Sequence, residues 1–375
     1  MISAWSFLDR LGLIGGTLAQ LIRRDAGLYL IIAIYTLAGM SFLNALDAAD
    51  RSAYSIYVVD WTKLNCLVFP IFAVIFDTGR IIHRFSARRG LAVKRTFSTN
   101  RLAYSLSGLC LLMALMVFQG TFTSVKNAMP VWQGGFQFDT VQADIDAFLH
   151  FGVDPWRWLH TVGANDWVRA AVEWNYNVFW FLLNFTILFF VATSPKAAPV
   201  RTRYLVCFMA VWVVVGNLLA VLFLSAGPAF YGQVTGDTAR FGEQLAFLAN
   251  GVGSPNSAVS YQNYLWSLYD AGQTGFASGI SAFPSVHVGL ATLNALFLRE
   301  YNRYLGALAF LYAAFVAASS VYLAWHYAID GYVGAAVVLL IYLVARKLIP
   351  ADRRLSALPG PAATINRREA ALAAT

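Results

Sequence analysis

Charged side chains are scarce in this sequence. They make up 12% of its 375 residues, while hydrophobic residues make up 59%. An ordinary soluble domain has about 25% charged and about 45–50% apolar residues. A soluble protein of this composition could not cover its surface with polar groups. The scarcity of charge also excludes a disordered chain and a nucleic-acid-binding protein with a charged face. Cysteine is nearly missing: Cys66, Cys110 and Cys207 each sit inside an apolar run. That leaves no disulfide framework and no zinc-like spacing. The N-terminus lacks a basic stretch and a small-residue cleavage site around its first apolar segment, so no cleavable signal peptide is expected.

Long apolar runs are what the sequence does have. Eight can be read, at about 27–46, 64–79, 102–122, 177–194, 204–225, 285–299, 304–324 and 331–348. A bilayer admits only helices or closed barrels, and apolar runs of about 20 residues are helices. The expected fold is therefore all-α, a polytopic membrane bundle of about eight transmembrane helices. Two runs are short: the second contains Pro70, and the sixth has about 15 residues. Residues 1–22, with Trp5, Leu8, Leu11, Ile14, Leu18 and Leu21, read as a surface amphipathic helix.

The charges give an orientation. Of the 27 lysines and arginines, 21 flank one side of these runs and six the other, while 13 of the 19 acidic residues lie with the six. This is a strong positive-inside pattern. It predicts cytoplasmic termini, with the long loops 123–176 and 226–284 outside. The cluster Arg80, Arg84, Arg88, Arg89, Lys94, Arg95 and Arg101 then reads as a cytoplasmic topology signal rather than a nucleic-acid site. Trp61, Trp132, Trp156, Trp158, Trp167, Trp174 and Trp266 fall in or beside the outer loops, where aromatic side chains favour the membrane interface.

Three ionisable residues lie on or beside spans at this outer face: His287, His326 and Asp330. Such groups are costly near a bilayer and are functional candidates by default. Pro284 and Ser285 suit a helix N-terminus, whose free N–H groups make an anion site beside His287. If His326 and Asp330 share a helical turn they are neighbours, and the carboxylate can fix the imidazole tautomer. Gly227-Pro-Ala-Phe-Tyr231 ends the fifth span on the same face. Two histidines, a carboxylate and an anion site fit in-line phosphoryl transfer, with one histidine attacking phosphorus and the other protonating the leaving oxygen. No metal or other cofactor is required.

These motifs resemble the type 2 phosphatidic acid phosphatase superfamily. Pro284-Ser285-Val286-His287 is similar to its P-S-x-H motif, and Ser319-x6-His326-x3-Asp330 to its last motif. The resemblance implies a six-helix catalytic core over 102–348. It leaves 1–101 as an amphipathic helix, two accessory spans and a basic loop, and 349–375 as a disordered tail. It implies His326 as nucleophile through a phosphohistidine, Asp330 as its orienter, His287 as general acid and Ser285 as a phosphate ligand. The family's arginine in the last motif is replaced by Ser320, and no lysine or arginine stands near Gly227 and Pro228. Lys196 and Arg203 have the family's spacing but lie on the cytoplasmic side. Arg240, Arg51, Lys63, Lys126, Arg157 and Arg169 are the possible substitutes. Arg240 is favoured as a phosphate ligand because it shares a loop with two motifs.

The departures look most like the inositolphosphotransferase branch, which includes inositol phosphorylceramide synthases. Gly227, Pro228 and Tyr231 would then contact substrate. The expected partners are a lipid phosphate or phospholipid donor, a lipid or polyol acceptor, and the bilayer. The expected place is the plasma membrane, with the site facing the exterior or periplasm. A lipid phosphatase is the nearest alternative. A transporter would need ionisable residues near the midplane. A serine hydrolase pairing Ser285 with His287 lacks a suitable turn and any Gly-x-Ser-x-Gly elbow, and a metal enzyme lacks specific spacing.

Overall fold

A computed structural model describes residues 7–84 and 88–351. In chain order its main helices are α1 (Phe7–Arg24), α2 (Ala26–Ala45), α3 (Ala49–Arg84), α4 (Arg89–Thr96), α5 (Thr99–Gln133), α6 (Asp139–Leu149), α7 (Pro155–Gly163), α8 (Asp166–Thr193), α9 (Pro195–Leu222), α10 (Tyr231–Thr235), α11 (Gly242–Ala249), α12 (Ala258–Asp270), α13 (Val286–Tyr301), α14 (Arg303–Tyr322) and α15 (Ala328–Leu348). No strand occurs among the described residues. Helices α2, α3, α5, α8, α9, α14 and α15 are long and apolar enough to cross a membrane. The remaining expected span is α13, with 16 residues.

The shortness of α13 follows from its place. Every residue from Val288 to Phe297 is buried, because α8, α9, α14 and α15 pack around it. Its polar residues are satisfied inside the bundle: Asn294 accepts the Tyr204 hydroxyl at 2.7 Å and donates to Asn184 at 3.0 Å. The approach to α13 is irregular backbone, tolerated at this depth where protein rather than lipid surrounds it. The accessory helices differ. α2 and α3 pack on α5 and expose large apolar side chains such as Leu37, Phe72 and Phe76, as lipid-facing helices do.

Helix α1 is amphipathic in place as well as in sequence. Leu13, Ile14, Thr17, Leu18, Leu21 and Ile22 are half-buried, at helical spacing, while Leu11 is exposed. Trp5 and the tail 352–375 lie outside the described residues. The three cysteines are unpaired. Ion pairs hold the end of the bundle farthest from the sequence motifs. Arg201 meets the buried Asp25 at 2.7 Å, and Arg203 meets Glu300 at 2.6 Å. Arg203 is thus committed away from the motifs, and Lys196 is exposed.

The loops expected at 123–176 and 226–284 fold into α6 and α7 and into α10 to α12. Trp132, Trp158, Trp167 and Trp174 are exposed, as interfacial residues would be. Trp61 and Trp156 are not. Both are buried, and Trp61 donates its indole N–H to the Leu112 carbonyl at 2.8 Å.

Candidate functional site

The motif residues meet at one end of the bundle. Ser285 caps α13, its hydroxyl accepting the Val288 N–H at 3.4 Å. Pro284 stands one residue before the cap rather than inside the first turn. The N–H groups of Val286 and His287 are left over by the helix and face its N-terminal end, where the dipole favours an anion.

His326 and Asp330 are not successive turns of one helix. Helix α15 begins at Ala328, so His326 lies in the turn before it and Asp330 in its first turn. They meet because the Asp330 carboxylate reaches back over the helix start. One oxygen accepts the Tyr327 N–H at 3.0 Å and faces His326 Nδ1 at 3.0 Å. A helix N-terminus favours a carboxylate in its first turn, so the orienter doubles as a cap.

This fixes the tautomer. An ionised carboxylate only accepts, so His326 Nδ1 carries the proton and Nε2 presents a lone pair. Ser285 Oγ lies 3.2 Å from that Nε2 and donates to it. The Ser285 N–H donates to the Asp330 carbonyl at 3.0 Å, tying α13 to α15. His287 stands across the site, its ring centre 6.5 Å from that of His326. Tyr176 stacks on it at 4.7 Å and Trp180 packs at 4.0 Å. Both come from where α8 passes through a π-helical turn, Asn175–Phe179. Neither ring nitrogen of His287 has a hydrogen-bond partner among the described residues. His287, His326 and Asp330 do not converge as a ligand set for one metal ion.

Two aspartates not singled out from the sequence build the frame of this site. Asp139 of α6 accepts the N–H groups of Ala226 and Gly227 and the hydroxyl of Tyr327, each at 2.8 Å. Asp146 accepts the N–H groups of Ala328 and Ile329 at 3.0 Å, capping α15. Burial raises both carboxyls above the ordinary aspartate range, and these hydrogen bonds pull them back. Their seven-residue spacing, one face of a helix, was the only sequence signal available.

Gly227, Pro228 and Tyr231 support the site from behind. Gly227 has φ +91°, and a Cβ there would lie 2.7 Å from the Trp325 carbonyl oxygen. Only glycine allows this approach to the His326 turn. Pro228 and Tyr231 are buried, Tyr231 against Phe241 and in one apolar cluster with Tyr327. Burial leaves both side chains packed against protein. Arg240 is also spoken for. Its guanidinium meets Asp144 at 2.6 Å, Asp154 at 3.0 Å and the Ala143 carbonyl at 2.8 Å. It ties the two long loops together.

Lys126, on α5, has a different setting. It packs against Gly279, where an added Cβ would come within 2.9 Å of its Cγ. The Lys126 charge acts on the His287 ring.

No curated protein and no solved structure matches the chain. The family model of the PAP2 superfamily matches residues 143–344, more than half of the chain and spanning α6 to α15. All the motif residues fall within it, and the chain belongs to the PAP2 superfamily, a helical membrane family of lipid phosphatases and phosphotransferases.

Proposed function

We propose that this protein is an integral-membrane phosphotransferase of the inositolphosphotransferase-like branch. It moves the phosphate-bearing headgroup of a lipid to a lipid or polyol hydroxyl through a phosphohistidine on His326. The observation that carries this reading is the relay Asp330–His326–Ser285, with an imidazole lone pair at a helix N-terminus and His287 opposite.

In the first step the Nε2 lone pair forms a bond to phosphorus. The bond from phosphorus to the lipid oxygen breaks, and His287 gives its proton to that oxygen. Ser285 turns its hydroxyl to a phosphate oxygen, beside the free N–H groups of α13. In the second step His287 takes the acceptor's proton, the acceptor oxygen bonds to phosphorus, and the P–N electron pair returns to Nε2. Asp330 stabilises the imidazolium that forms in between. Water in place of the acceptor would release the phosphorylated headgroup, or free phosphate from a phosphomonoester.

The positive-inside pattern supports a site at the outer face of the plasma membrane with both termini cytoplasmic. Residues 102–348 would form the catalytic core, and 1–101 an accessory unit. The Gly227-Pro-Ala-Phe-Tyr231 stretch and the missing motif arginine support the branch.

One observation favours a second reading. Ser285, His326 and Asp330 hydrogen-bond in the order of a serine nucleophile, its base and its orienter. Ser285 is fully buried and caps α13, which disfavours it as the attacking group. The trapped intermediate separates the two: phosphohistidine is labile to acid and phosphoserine is stable to it.

The test is phosphorus-31 spectroscopy of the purified protein with phosphatidic acid, an isoprenyl diphosphate or phosphatidylinositol. Each is run with and without ceramide or diacylglycerol, and with His326→Ala as control. A new phospholipid that appears only with acceptor, and not with His326→Ala, is the expected result. Free phosphate independent of acceptor would make the protein a lipid phosphatase, and turnover by His326→Ala would overturn the mechanism.

A further inference from the structure

We infer that Lys126 is the cation that binds the substrate phosphate, supplied by α5 in place of the basic residues absent from the motifs. The inference rests on the reading of the His326 site as a phosphate site.

Six basic residues fall on the motif side in the sequence pattern. Four are in ion pairs: Lys63 with Asp60 at 3.8 Å, Arg157 with Glu243 at 2.9 Å, Arg169 with Asp166 at 2.8 Å, and Arg240 with Asp144 and Asp154. Arg51 donates to the Asn127 carbonyl at 3.2 Å. Lys126 has neither an ion pair nor a hydrogen bond among the described residues, although it is half-buried. A half-buried ammonium without a partner is costly, and proteins keep such a charge where a ligand supplies the partner.

Its position fits that ligand. Gly279, with φ +91°, gives the lysine stem room beside the chain that leads to Ser285. The Lys126 charge acts on His287, one of the two rings that flank the reacting phosphate. The phosphate thus meets the ammonium of α5 on one side and the N-terminus of α13 on the other. A lysine suits this role as a compact charge that needs no fixed planar geometry.

The experiment uses the full chain in detergent and orthovanadate, a phosphate analogue whose binding needs no turnover. Binding is read by calorimetry for wild type, Lys126→Met, Lys126→Arg and the control Arg157→Gln, with melting temperature recorded for each. Expected is at least tenfold weaker binding by Lys126→Met, retention within a fewfold by Lys126→Arg, and no change in Arg157→Gln. Lys126→Met should melt no lower than wild type, since an unpaired charge has been removed. Equal binding by wild type and Lys126→Met overturns the assignment and leaves the phosphate site standing. Absence of vanadate binding by wild type overturns the site reading and the assignment with it.

Discussion

The Tyr327 hydroxyl donates to the Asp139 carboxylate at 2.8 Å, joining the residue between His326 and Asp330 to a helix 188 positions earlier in the chain. The same carboxylate holds the N–H groups of Ala226 and Gly227. One side chain therefore sets the spacing between two motifs that never touch substrate through it.

Asp139→Asn should misplace both motifs. The amide offers one acceptor oxygen where three donors converge, leaving a buried N–H unpaired at a cost of about 1–3 kcal/mol. A shift of the His326 turn of even ~1 Å should lower kcat by about 10- to 100-fold. KM should change little, because Asp139 does not reach the phosphate. Tyr327→Phe removes one bond and should cost about 0.5–1.5 kcal/mol. Steady-state kinetics beside thermal melts check both, and unchanged kcat in Asp139→Asn would rule out a positioning role.

Asp330→Asn should be far more damaging to rate than to fold. An asparagine can present its N–H₂ to His326 and favour the tautomer with Nε2 protonated, which removes the nucleophilic lone pair. Loss of such an orienter lowers kcat by about 10⁴-fold where its geometry is kept. Lys196→Ala, at the opposite end of the bundle and exposed, should leave activity unchanged. Parallel rate measurements on the two variants test the assignment of ends as well as of roles.

His160 makes stability depend on pH. Burial among Trp156, Phe247 and Tyr322 lowers its pKa below the ordinary value of about 6.5, against the pull of the Tyr322 carbonyl and Glu243. The unfolded chain thus takes up a proton that the folded chain resists. The contribution is whole above about pH 6.5 and is lost as pH falls through that value towards the folded pKa. Melts from pH 8 to pH 5 should show wild type losing stability below about 6.5, and His160→Gln losing less. Identical slopes would show that other groups govern the acid side.

A site with one lysine charge balances one negative charge. A phosphodiester carries one, whereas a phosphomonoester carries about 1.5–2 near neutrality. An uncompensated charge in a buried site is strongly disfavoured. Phosphatidylinositol should therefore be used with a KM at least about tenfold lower than phosphatidic acid. The reverse preference, measured in mixed micelles of matched composition, would point to a second cation.

Much of this was legible in the residue order. Apolar runs gave the helices, and Ser285, His287, His326 and Asp330 stood out because short spacings report short distances. The relation between His326 and Asp330 was legible only in part. Four residues suggested neighbouring helical positions, yet α15 starts between them and the carboxylate meets the ring by folding back. Asp139 and Asp146 were harder still. Their roles depend on partners about 80 to 190 positions away, and nothing local separates a buried capping carboxylate from a solvated one. The setting of Arg240 was hidden for the same reason: proximity in the chain said nothing of Asp144 and Asp154, which it meets in space.

The two carboxylates of α6 also constrain how the molecule can be assembled. Asp146 finds its donors at Ala328 and Ile329, 182 and 183 positions later, at the start of α15, the last helix among the described residues. Until that helix inserts, both carboxylates lack donors that the finished fold provides. Helix α15 is thus a clasp. Its packing closes the bundle and brings His326 to Asp330, so truncation before α15 should leave an open bundle.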